Sequence, residues 1–211
     1  MIFTNERASS ALLGLLLSFV IGLLVTAGAR AELPGGQILS AGPTELEYYL
    51  WPDHCKARMS GSTLNRNRVW LNHFPVNEAF INKWQNALPK TWPHLHHYCM
   101  GLAVLSHAER ATPGSDSALR AFHFAAGEIG YTRIRSSPGS PLWSEMTINQ
   151  TRALEGGGDR ERAIHELQQL VERSPSDTNA RVALARTLKR GGDIAEAVTV
   201  LEQALADDAK R

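Results

Sequence analysis

An all-α fold is what this sequence predicts: antiparallel helical hairpins stacked as a solenoid, behind an irregular-to-helical N-terminal segment tied by one disulfide. Three observations point there. Apolar residues recur at helical spacing along most of the chain, and strand-like alternation is nearly absent. The C-terminal part matches itself at a shift of 34 residues. Cys55 and Cys99 are the only two cysteines, so a single intramolecular pairing exists. The 211 residues allow one domain or two small ones. A hydrophobic fraction of 43% and a charged fraction of 20% exclude collagen-like, low-complexity and wholly disordered chains. The formal net charge of +1 gives no reason to expect nucleic acid as a partner.

At the N-terminus, residues 11–29 run without a charge, and Ala29-Arg30-Ala31 forms a small-x-small site before Glu32. This is the layout of a signal peptide over residues 1–31, with cleavage after Ala31. The alternative is an uncleaved anchor, because about 20 apolar residues can cross a bilayer. Export places the protein in the periplasm or outside the cell, where Cys55 and Cys99 are expected to pair.

Residues 32–43 contain Pro34-Gly35-Gly36 and Gly42-Pro43 and read as a flexible leader. Residues 44–92 follow as the irregular and helical segment. Thr44 and Glu47 have capping-box spacing, so a short helix is expected to begin there and to stop at Trp51-Pro52. Residues 60–73 are polar, with Asn65, Asn67 and Asn72, and show little periodicity. From Asn77, the residues Phe80, Ile81, Trp84 and Leu88 mark another helix, ended by Pro89. A helical hairpin is expected over 93–135. Pro93 opens its first helix, with the stripe Leu95, Tyr98, Cys99, Leu102 and Leu105. Asp116 caps the second, whose stripe is Leu119, Phe122, Ala126 and Ile129. Residues 136–141, rich in serine and proline, form a loop.

Residues 142–211 hold the repeat. At a shift of 34, Leu154 falls on Leu188, Gly158 on Gly192, Asp159 on Asp193, Ala163 on Ala197 and Leu167 on Leu201. This resembles the tetratricopeptide repeat family. Ala163 and Ala197 stand at its small position early in the second helix, and Leu167 and Leu201 at the large apolar position four residues on. Pro175 stands where the family often has proline. Thr147 and Arg181 replace a tryptophan-like position, and Thr151 and Ala185 an early glycine. The resemblance implies two repeats, with 93–135 as a divergent third unit that helps to cover the core.

The resemblance also implies a groove lined by first helices, which would bind another protein. Its inward positions would be Glu145, Ile148, Arg152 and Glu155, then Asn179, Val182, Arg186, Lys189 and Arg190. Arg152, Asn179, Arg186 and Lys189 form the candidate partner site, a clamp for an acidic or C-terminal segment. The last hairpin is expected to leave an apolar face for a partner or a second copy, giving a homodimer. An alternative is a metal-binding or metal-delivery role for His94 and His97, which share a helix face, with His54 as a third ligand. A third reading is an enzyme with its site among the N-terminal aromatics Tyr48, Tyr49, Trp51, Trp70, Phe74, Phe80, Trp84 and Trp92. The sequence contains no nucleophile elbow, phosphate loop, zinc-protease motif or dinucleotide fingerprint. No cofactor is therefore expected and no catalytic residue is assigned.

Overall fold

The computed structural model describes residue 43, residues 45–60 and residues 77–209. All belong to the compact unit Leu33–Arg211. The expected signal segment, most of the leader, Thr44, the asparagine-rich stretch, Trp70 and Phe74 lie outside the described residues.

Among the described residues there are nine α-helices and no strand. They are α1 (Glu45–Leu50), α2 (Asp53–Met59), α3 (Glu78–Ala87), α4 (Leu95–Arg110), α5 (Asp116–Arg135), α6 (Trp143–Gly156), α7 (Arg160–Arg173), α8 (Thr178–Gly191) and α9 (Ile194–Asp208). No described helix is long and apolar enough to cross a membrane. From α4 onward each helix packs on the next, as in stacked hairpins.

Local chemistry sets the helix ends. Asn77 caps α3 by accepting the Phe80 N–H at 2.9 Å. α5 is capped one residue earlier than expected: Ser115 accepts the Ala118 N–H at 3.2 Å, and Asp116 is the first helical residue. Ser115 has extended backbone angles and so occupies the cap, while the Asp116 charge faces the positive helix end. Pro93 lies in a 3-10 turn, Trp92–His94, that leads into α4. α6 and α8 end alike. The Asp159 N–H reaches back to the Leu154 carbonyl, and the Asp193 N–H to that of Leu188. The turns need Gly158 and Gly192 at φ +92° and +97°, a region that favours glycine.

The stripe of α5 differs from expectation. Its buried residues are mainly Ala118, Ala121, Ala125, Ala126 and Ile129, while Leu119 and Phe122 are only half-buried. The reason is close approach on both sides of α5. A Cβ on Gly101 of α4 would lie 2.7 Å from Ile129 Cγ1, and one on Gly130 would lie 2.4 Å from the Gln150 amide nitrogen of α6. Small residues occupy the seam, and Phe122 is displaced towards the groove described below.

One core runs from Tyr48 and Trp51 through α2, α4 and α5 to Leu154 and Ala163. A second joins Leu167, Leu184, Ala185, Leu188 and Ala197. The Cys55–Cys99 disulfide, with Cα atoms 5.5 Å apart, ties α2 to α4, and both cysteines are fully buried. Glu47 of α1 reaches His107 at 2.9 Å and also pairs with Arg110, pinning α1 to the end of α4.

The two repeats are equivalent at their seams: Ala163 and Ala197 are both buried, as are Leu154 and Leu188. They part at the outer face of the second helix. Leu167 is 0% exposed under α8, but its counterpart Leu201 is 40% exposed. Leu201 therefore fills no groove between neighbouring described helices. With Ile194, Val198 and Leu205 it forms an exposed stripe along α9.

Candidate functional site

The first helices α4, α6 and α8 lie side by side and line a groove with two concavities. The upper one, about 490 Å³, is bounded by the N-terminal halves of α6 and α8. The lower one, about 860 Å³, reaches from Glu109, Pro113 and Phe122 to Arg190. Ile148, Ala183 and Arg186 border both.

Asn179 and Arg186 line the upper concavity, and Arg152 and Arg186 the lower. Lys189 is exposed on α8 and lines neither. The two stacked arginines also differ. Arg152 Nη2 donates to both Glu109 carboxylate oxygens at 2.7 and 2.8 Å, and its Nη1 donates to Asn149 Oδ1. Arg186 has no ion-pair or hydrogen-bond partner among the described residues. Arg190 is paired with Glu155 at 2.9 Å. The lining holds Glu109, Glu145, Glu155 and Asp177 against Arg152, Arg186 and Arg190, so the groove is mixed in charge rather than basic.

Behind the upper concavity a polar relay runs from the exposed Arg152 to the buried Tyr98. Arg152 donates to Asn149, Asn149 Nδ2 to the Tyr98 hydroxyl at 2.9 Å, and that hydroxyl to Glu145 Oε1 at 2.6 Å. Burial, then the neighbouring Glu145 carboxylate, push the Tyr98 pKa well above its ordinary value, so the phenol stays a donor. His54 Nε2 lies 3.6 Å from the same Glu145 oxygen. The His54 ring packs against Tyr98 and edge-on to Trp84. α2, held by the cystine, thus touches the back wall of the groove.

Residues 156–211 match the tetratricopeptide repeat family. The C-terminal repeats are tetratricopeptide repeats. No curated protein and no solved structure matches the chain. Tetratricopeptide repeats generally mediate binding to other proteins and are generally not enzymes. The family's tryptophan-like position is buried in both repeats, filled by Thr147 and Arg181. Thr147 bonds its own helix at Trp143 O, and Arg181 pairs with Asp207 of α9 at 2.6 Å.

Sequence reasoning did not find Glu109, Asn149 or the Tyr98 hydroxyl as parts of the groove. Tyr98 was visible only as a member of an apolar stripe. Glu109 lies 43 residues from Arg152, on a hairpin outside the repeat pattern, so nothing local signals their pairing.

The histidines are engaged elsewhere. His97 Nδ1 lies 2.7 Å from Glu128 Oε2, and its ring is 4.3 Å from Tyr131. The His94 ring packs edge-on to Tyr131 at 5.6 Å. His54 belongs to the Glu145 side, and both cysteines are oxidised. Among the described residues no three His, Cys, Asp or Glu side chains are grouped so as to hold a metal ion.

His54 has a pH consequence. Desolvation lowers its pKa, with Glu145 and Asp53 opposing the shift. Between the unfolded value of about 6.5 and the lower folded value, the unfolded chain binds the proton more readily. The His54 contribution is therefore intact above pH 6.5 and is lost as pH falls through the folded pKa. His96, also lowered by burial and then by His97, acts in the same direction. Thermal unfolding at pH 7.5 and pH 5 is expected to show a smaller acid-induced drop in Tm for His54→Gln than for wild type. Equal drops would dismiss His54 as a source of acid sensitivity.

Proposed function

We propose that the protein is an exported, non-catalytic interaction scaffold or assembly factor whose groove holds an acidic or C-terminal segment of another protein. Arg186 carries this reading. It is the groove guanidinium without a partner among the described residues, it borders both concavities, and Asn179 lies two turns before it on α8. A free guanidinium suits a carboxylate, which takes parallel N–H bonds from such a fork. Export is supported by the uncharged run at 11–29, by the small-x-small site at Ala29–Ala31, and by the cystine, which persists in oxidising compartments. A second copy would pack on the exposed α9 stripe.

The test is binding of peptides with free and amidated C-termini, read by fluorescence anisotropy. Arg186→Glu is expected to weaken the free-acid peptides by about 10- to 100-fold, the range of a hydrogen bond to a charged group. Arg152→Ala is expected to act mainly by releasing Glu109 into the groove. Affinities that ignore both the terminal carboxylate and Arg186→Glu would remove the reading.

A further inference from the structure

We propose that the groove selects a dipolar segment: a carboxylate held by Arg186 and, three residues away along an extended chain, a lysine or arginine held by Glu145. This rests on the reading above, in which Arg186 receives a carboxylate. It adds a second point of recognition with the opposite sign.

Most charges of the groove are already engaged within the protein. Arg152 is neutralised by Glu109 and Arg190 by Glu155. Asp177 is occupied by the Ser144 hydroxyl on one oxygen and by the Ala180 N–H on the other. Among the described charges of the upper concavity, Arg186 then has no partner, and Glu145 is the anion that keeps an oxygen open, since Tyr98 and His54 both meet its Oε1. Glu145 receives the Tyr98 O–H on Oε1, and its other oxygen has no partner among the described residues. The side chain is 39% exposed. It is also held in place, because the Tyr98–Asn149–Arg152 relay fixes the hydroxyl that grips it.

The spacing follows from the repeat. A shift of 34 residues puts Glu145 level with Asn179, and Arg186 comes seven residues after Asn179 on the same helix. Seven residues rise about 10 Å. An extended peptide covers that rise in three residues, at about 3.3 Å each, and the long lysine and Arg186 side chains take up the sideways step of about 8–10 Å between α6 and α8. Ile148, Val182 and Ala183 border the space between, so the intervening side chains meet an apolar floor. A uniformly acidic tail would set a carboxylate against Glu145, with Asp177 nearby adding the same sign. That repulsion is how the groove would reject it.

Peptides ending in a free carboxylate, with Lys, Gln or Glu three residues before it and alanine, valine and leucine between, test this by anisotropy. Wild type is expected to bind the Lys peptide at least tenfold tighter than the Gln peptide, with the Glu peptide weakest. Glu145→Gln, with an unchanged circular dichroism spectrum, is expected to bind Lys and Gln peptides within twofold of each other. Equal wild-type affinity for Lys and Gln peptides, both lost in Arg186→Glu, would overturn the dipolar selection and leave the carboxylate reading standing. Indifference of every peptide to Arg186→Glu, or no binding at all, would overturn both. An equal loss of Lys and Gln peptides in Glu145→Gln would mark Glu145 as structural and also end the proposal.

Discussion

Cys55→Ser combined with Cys99→Ser is expected to lower the free energy of unfolding by about 4 kcal/mol. For a chain of this size that is a fall in Tm of roughly 8–16 °C. The bridge closes a loop spanning 44 positions, which is where the chain-entropy gain arises. The local reason is as strong. α1 has six residues and α2 seven, too short to hold helical form in water unaided. They depend on the cystine, on burial of Tyr48 and Trp51, and on Glu47 reaching His107 and Arg110. Thermal unfolding by circular dichroism without reductant compares the two proteins directly. A loss below 2 °C would mean that packing alone seats α2. The same variant is expected to loosen His54 from Glu145, since His54 adjoins Cys55.

Leu167→Ala and Leu201→Ala occupy matching repeat positions, yet their expected costs differ. Leu167 is fully buried under α8, and truncation leaves a cavity worth 2–5 kcal/mol, roughly. Leu201 is 40% exposed, and little cavity forms, so a cost of about 1 kcal/mol or less is expected. Urea unfolding of both variants measures the difference. Equal losses would show that α9 is covered as α7 is. Leu201 also lies where a second copy would pack. Leu201→Glu is therefore expected to sediment as a monomer at concentrations where wild type self-associates, and a wild type that is itself monomeric would remove the homodimer.

Much of the fold was legible because it is written locally. Gly158 and Gly192, Ala163 and Ala197, and Leu154 and Leu188 recur at one period because each repeat closes the same turn and the same seam. The 93–135 hairpin was legible from apolar spacing, although its second helix buries alanines rather than the larger residues expected. Close approach at Gly101 and Gly130 demands small neighbours, and the distance between helices is not visible in a one-dimensional pattern. The groove face was legible in the same way. Glu145, Ile148, Arg152, Glu155, Asn179, Val182, Arg186 and Arg190 all line it, and Lys189 does not.

The sequence by itself determined the helical hairpins, their repeat and the one cystine that two cysteines allow, since helix periodicity and turn chemistry act over a few residues. Only the tertiary structure decided which charges are spent and which are free. Arg152 is neutralised by Glu109 and Arg186 is not, and Glu145 is gripped by Tyr98 on one oxygen alone. Charge is cancelled through space, over a few ångströms, between residues that lie more than forty positions apart in the chain.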